Sequence, residues 1–382
     1  MGGIPGLDSL VDLRKKLHKY PELAGSEKMT SLTISGFLEG LSPDEIIMNI
    51  AGNGLAARFK GKSKGPRVVV RAELDALPIR ELNDFHHKSS VPGIAHKCGH
   101  DGHMAIVAGV AEYFSKNLPE MGELVVLFQP AEETGEGAYK VMEDSQFKSV
   151  EPDYIIALHN LPGFETGEIV LSKGVFAAAS AGMVIELNGK TSHAAEPENG
   201  ISPSAAVSEI LKELPLLTKS IDFKNFALIT IIHARIGEIA FGTSPGEAVV
   251  MATIRAIDNS EMDILRKRAE FLARETARLN NLEISVKWTE IFPATSNEPV
   301  LAGMIGNVGR SLGMKVTFIN DAFRWSEDFG WFTERYPGVL FGLGAGKYQA
   351  ELHSPVYDFP DEIICKGVNI MTAVCKQLLN SR

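Results

Sequence analysis

The octet HKCGHDGH at residues 96–103 holds three of the chain's ten histidines, one of its three cysteines and an aspartate. A thiol and imidazoles so close together admit three readings: a metal site, a reactive thiol, or a polar loop rich in histidine. Cys98-Gly99-His100 sets a thiolate and an imidazole two residues apart on a glycine-punctuated turn, where both can face one ion. Gly99 and Gly102 free the backbone for such a turn. A closed structural zinc site would want four His or Cys ligands, and the chain has no C-x-x-C pair to supply them. If a metal binds here, carboxylates and distant histidines must complete the set.

Glu132 and Glu133 supply candidate carboxylates directly after the apolar run ELVVLFQPA. A Glu-Glu pair is commonly a solvated turn. Near a strand end, though, adjacent side chains point to opposite sides, so one can ligate while its neighbour faces a water. Metal-assisted hydrolysis needs that division between a ligand and a free general base. His159, ending DYIIALH, and His353, in ELHSPVYDF, are the remaining ligand candidates. His18, His86, His87, His96 and His233 read as structural or surface residues, and His103 as support for the turn.

These residues need elements to bring them together. Short apolar runs (GLAARFKG, RVVVRAEL, ELVVLFQ, DYIIALH) alternate with helix-period segments such as LDSLVDLRKKLHKY and HMAIVAGVAEYFSKN, the pattern of an α/β sheet. Asp75, the glutamate pair and His159 each follow or end such a strand. Open α/β sheets bind ligands beyond the carboxyl ends of their strands, so the pattern argues for one shared site. From about Ala181 the order becomes β-α-β-β-α-β, the split βαβ arrangement of a small α+β domain. The expected architecture is a main α/β catalytic domain (1–177 and 291–382) with a mostly parallel sheet, interrupted by an inserted ferredoxin-like domain (178–290).

With 382 residues the chain suits two domains, and 45% hydrophobic residues suffice for a sizeable core. A net charge of −10 gives no electrostatic reason to expect a nucleic acid or a membrane as partner. No run approaches the roughly 20 apolar residues that span a bilayer, and MGGIPGLDSLVDLRKK lacks a signal-peptide core. A cytoplasmic protein is expected. Cys365 and Cys375 fall ten residues apart on one helical pattern, about 15 Å of rise, too far for a disulfide.

HKYPELAGSEKMT, RAELDALPI, HKCGHDGHMA, QPAEE, ALHNLPG, SHAAEP, WSEDFGWF and ELHSPVYDF occur in the order found in the N-acyl-amino-acid amidohydrolases. The chain resembles that branch, which includes hippurate hydrolases and plant indole-acetyl-amino-acid hydrolases, over nearly its whole length. More distant likenesses are aminoacylase, carboxypeptidase G, acetylornithine deacetylase and succinyl-diaminopimelate desuccinylase. Cysteine in the metal loop, where those have aspartate, is particular to the amidohydrolase branch.

The resemblance implies two divalent ions per subunit, zinc or manganese, with cobalt or nickel workable. Cys98 would bridge them, His100 and His159 would hold one, and Glu133 and His353 the other. Glu132 would be the general base toward a bridging hydroxide, and Asp75 would orient a ligating imidazole. His193, in GKTSHAAEP, reads locally as a loop histidine capping a turn; the resemblance implies that it reaches a neighbouring subunit's site and stabilises the oxyanion. That role implies a homodimer through the inserted lid domain. Arg255 would bind the substrate carboxylate.

Two departures stand out. The family's asparagine in an NVIP segment falls near Gly242, so Thr243 or Ser244 would have to replace its amide, and Glu73 stands where aspartate is usual. The expected reaction is hydrolysis of N-acyl amino acids to a carboxylic acid and an amino acid. Alternatives are a dipeptidase or aminopeptidase on the same scaffold, a catalytically silent metal-containing binding protein, and a thiol enzyme using Cys98.

Overall fold

The computed structural model describes residues 6–220 and 222–380, so the first five residues of the N-terminal segment read above lie outside the described residues. The described chain divides into two compact units, residues 1–176, 295–322 and 327–382 forming the first, and residues 177–294 and 323–326 the second.

In the first unit the chain opens with α1 (Leu7–Lys19) and α2 (Lys28–Glu39), then β1 (Glu45–Ile50), β2 (Gly54–Lys60) and β3 (Ser63–Glu73). Next come α3 (His100–Lys116), β4 (Met121–Gln129), β5 (Tyr154–Pro162) and β6 (Ile169–Leu171). Their sheet runs β1-β2-β4-β3-β5, then the strand Gly338–Gly346, β6 and Val316–Phe318. Its centre is parallel: β3 pairs with β4 and β5, and β5 with Gly338–Gly346. The apolar run Val68-Val69-Val70 explains that position, because a strand covered on both faces needs no polar alternation, and all three are fully buried. α1, α3 and the C-terminal helix Ile364–Leu379 bury one core with that sheet through Leu10, Ile106, Val110, Val368 and Met371.

The second unit carries strands Ala179–Asn188, Ala227–Ile236, Glu247–Ala256 and Glu283–Phe292 with helices Ser204–Glu213 and Asn259–Leu279, the expected β-α-β-β-α-β order. Its four strands form an antiparallel sheet with Ala227–Ile236 on one edge and Glu283–Phe292 on the other. The pattern EAVVMATIRA buries every second residue, as a one-faced sheet requires. Asp258 caps the long helix, its carboxylate accepting from Glu261 N.

Among the described residues no helix is long and apolar enough to cross a membrane. Cys365 and Cys375 lie on the C-terminal helix, and all three cysteines are free.

Candidate metal centre

Gly99, at φ +94°, precedes α3 in the left-handed region that favours glycine. It lets Cys98 and His100 flank the helix start, so α3 begins three residues before the run HMAIVAG. Gly102 serves differently from the turn role expected of it. It lies inside α3, where a Cβ would come within 2.3 Å of the Phe359 ring. His159 also departs from expectation: it sits inside β5, paired with Gly342 of the neighbouring strand, rather than after the strand.

Glu132 and Glu133 do not point to opposite sides. The chain leaves β4 at Gln129 and turns through Ala131 at φ +55°, so the alternation of a strand no longer applies. Both carboxylates face His100, whose Nε2 is 3.7 Å from Glu132 Oε2 and 3.8 Å from Glu133 Oε1.

Of five groups of ligand-competent atoms among the described residues, each within 4.8 Å, two contain the thiol: Cys98, His100 and His159, and Cys98, Glu133 and His353. Cys98 belongs to both. Its Sγ is 3.5 Å from His159 Nε2, and His353 Nε2 is 3.8 Å from Glu133 Oε1. Two imidazoles are oriented by main-chain carbonyls: His100 Nδ1 donates to Asp75 O at 2.8 Å and His159 Nδ1 to Asn160 O at 2.9 Å. Those bonds leave each Nε2 as the lone-pair nitrogen. Asp75 thus orients His100 through its backbone, while its carboxylate accepts from Glu133 N at 2.9 Å.

The donor set fits divalent ions. His100 Nε2 and Glu133 Oε1 are buried with no hydrogen-bond partner, and such atoms are costly unless something satisfies them. Burial, together with Glu327, Glu133 and Asp328, pushes the Glu132 carboxyl well above its usual range. Burial also raises Glu133 to about 7 against the pull of His100. Burial and the same two glutamates hold the Cys98 thiol well above its usual range. A cation relieves all three by favouring their anionic forms.

Behind this layer runs a polar chain that sequence reasoning did not assemble. Arg71, fully buried, donates to Gln129 Oε1 at 2.8 Å, Glu327 Oε1 at 3.0 Å, Asp328 Oδ1 at 2.6 Å and Glu73 Oε1. Glu73 accepts in turn from His103 Nδ1 at 2.7 Å, and His103 Nε2 accepts from Asn160 N at 3.1 Å. At the other end Asp328 N donates to Glu132 Oε1 at 3.4 Å. The only prior signal for Glu327 and Asp328 was the quoted run WSEDFGWF.

The remaining two predicted residues lie in the second unit. His193 is exposed and pairs with Thr243, while its Nδ1 accepts from Ala195 N at 3.0 Å, the local turn cap that its sequence context suggested. Thr243 and Ser244 of the departing segment therefore form the strand directly beside it, and Gly242 O accepts from Ala194 N. Arg255 donates to Arg324 O at 3.0 Å and Ser326 Oγ at 2.9 Å. No carboxylate of the described residues pairs with it, and burial alone lowers its pKa.

Residues 69–377 match the model of peptidase family M20/M25/M40. The chain belongs to that family. Among its M20 relatives, the N-acetyl-L-cysteine deacetylase of Bacillus subtilis is 30% identical over 97% of this chain and 88% of its own. The hippurate hydrolase of Campylobacter jejuni is 28% identical over 94% and 93%. A solved Bacillus subtilis M20 structure, described as a dinuclear metal-binding peptidase, superposes with a TM-score of 0.83 at 26% identity, covering 98% of this chain and 99% of that one. This M20 chain is a metal-dependent hydrolase of amide bonds.

Proposed function

We propose that the chain hydrolyses N-acyl amino acids, releasing a carboxylic acid and an amino acid. The observation that carries this reading is the pair of ligand groups meeting at Cys98 with Glu132 beside them. His100 and His159 would hold one ion with the thiolate, and Glu133 and His353 would hold the other. Zinc suits the thiolate, and manganese, cobalt and nickel suit the mixed N, O and S set. When bound, the pair supplies Lewis acidity toward the amide carbonyl and acidifies a water.

Glu132 does the proton work. Its carboxylate removes a proton from the attacking water, whose oxygen bonds to the carbonyl carbon. It then returns that proton to the amide nitrogen as the C–N bond breaks. The Asp328 amide fixes one carboxylate oxygen, leaving Oε2 on the side of His100. Arg255, a half-buried cation that pairs with no carboxylate among the described residues, binds the free carboxylate of the amino-acid part. His193 donates to the developing oxyanion of a partner subunit's substrate. It acts from a homodimer formed through the second unit, whose edge strand Ala227–Ile236 leaves Leu228, Ile232 and Ile236 exposed.

A panel of acetyl, benzoyl, succinyl and indole-acetyl amino acids beside free dipeptides tests the reading. Turnover of the N-acyl series, lost with chelator and restored by metal, is expected. A requirement for a free α-amine would establish the peptidase alternative instead, and activity that survives chelation would point to Cys98 as a nucleophile.

A further inference from the structure

Of the three ligating imidazoles, His353 alone has no oriented ring. His100 and His159 each give Nδ1 to a carbonyl, whereas the His353 ring makes no hydrogen bond among the described residues and its side chain is 53% exposed. Its backbone sits at φ +63°, a conformation that costs a non-glycine residue energy and persists only when the surroundings impose it. The position of His353 therefore depends on what holds the segment from Leu352 to Asp358.

That segment is held chiefly from one place. Lys97, next to Cys98, is fully buried. Its main-chain carbonyl accepts from His353 N at 2.8 Å, and its Nζ donates to Tyr357 O at 2.7 Å. The same ammonium donates to Asn83 Oδ1 at 2.8 Å and to Glu81 Oε1. Asn83 Nδ2 in turn donates to Val356 O at 3.0 Å, and Leu82 N to Pro355 O at 3.0 Å. A buried ammonium satisfied by two side chains and one loop carbonyl is costly to build for packing alone, since an apolar side chain would fill the space with less desolvation. Here it fastens the Tyr357 end of the loop, while the main-chain carbonyl of the same residue holds the His353 end.

We propose that Lys97 is a positioning residue for His353: its carbonyl and its ammonium together clasp the loop that presents this imidazole to the second ion. The proposal rests on the two-ion reading given above. The rings of His100 and His159 are oriented from outside the clasp, by the carbonyls of Asp75 and Asn160, so loosening it weakens chiefly the site completed by Glu133 and His353.

Lys97→Met keeps an unbranched stem in the buried channel and leaves Glu81 its bonds to His18 and Ser89 N. Asn83→Ala, at a half-buried position, removes two links of the clasp without burying a new apolar group. Each variant, stripped with chelator and titrated with zinc, is read by ions bound per chain and by the two dissociation constants. Wild type is expected to bind two. Lys97→Met should keep one at its wild-type constant and weaken the other about 10–100-fold, with Asn83→Ala in the same direction and smaller. In a His353→Ala background Lys97→Met should then change zinc affinity no further, because the ligand it positions is gone. Two wild-type constants in both variants would overturn the proposal, as would equal loss of both ions from folded Lys97→Met. Should Lys97→Met fail to fold, Asn83→Ala decides by the same criterion. Wild type binding fewer than two ions would overturn the two-ion reading and the clasp with it, a result distinct from the clasp failing alone.

Discussion

At the scale of single residues, Cys98 and Glu133 make different demands from their neighbours. Cys98 is the only side chain common to both ligand groups, so Cys98→Ala is expected to lose both ions, while His353→Ala loses one. Elemental analysis of the purified variants checks the contrast; equal retention in the two would contradict a shared thiolate. The convergence of the candidate ligands was legible because their chemistry is rare in a sequence: ten histidines and three cysteines leave few combinations. Lys97, Arg71 and Asp328 were not legible, since lysine, arginine and aspartate are ordinary on surfaces and only long-range folding buries them. Glu73 read as a mild change from aspartate. In the structure its carboxylate bridges Arg71 and His103, a span set by partners 2 and 30 residues away.

At the scale of elements, α1 is tied to the start of α3 by charge. His18 on α1 lies between Asp101 Oδ2 at 2.9 Å and Glu81 Oε1 at 3.0 Å, with Arg14 3.2 Å from the same Asp101 oxygen. Burial opposes its charge, but Asp101 and Glu81 prevail and raise it to about 9. His87 and His96 also face it and add no negative charge. The folded pKa exceeds the unfolded value near 6.5, so the contribution is fully present below about pH 6.5 and lost as pH rises through about 9. It is on the order of 3 kcal/mol at most. Thermal melts from pH 6.5 to 9.5 should show wild type losing stability more steeply than His18→Gln; parallel curves would remove the charged pairing. The periodicity of LDSLVDLRKKLHKY made α1 legible as amphipathic, yet it placed His18 among structural residues without naming its partners. The ends of elements were least legible. The glutamate pair and His159 both departed from where strand alternation would put them, because Ala131 turns the chain and β5 continues to Pro162.

At the scale of the whole molecule, the split β-α-β-β-α-β order was legible because each element carries its own period. Partner contacts are not periodic, and the exposed apolar side chains on Ala227–Ile236 became visible only once that strand proved to be an edge. An unpaired edge with apolar side chains invites another strand. Sedimentation is expected to give twice the 41.5 kDa chain mass, and Ile232→Asp should shift the protein toward one chain. A single-chain mass for wild type would remove His193 from any partner's site. The proposed chemistry depends on one separation, between holding ions and moving protons. Glu132→Gln keeps the size of the side chain and removes its basicity. Turnover of an N-acyl amino acid by that variant, measured beside its metal content, tests the account most directly. Two ions per chain are expected with kcat lower by about 10²–10⁴-fold; near-wild-type turnover with both ions bound would contradict Glu132 as the base.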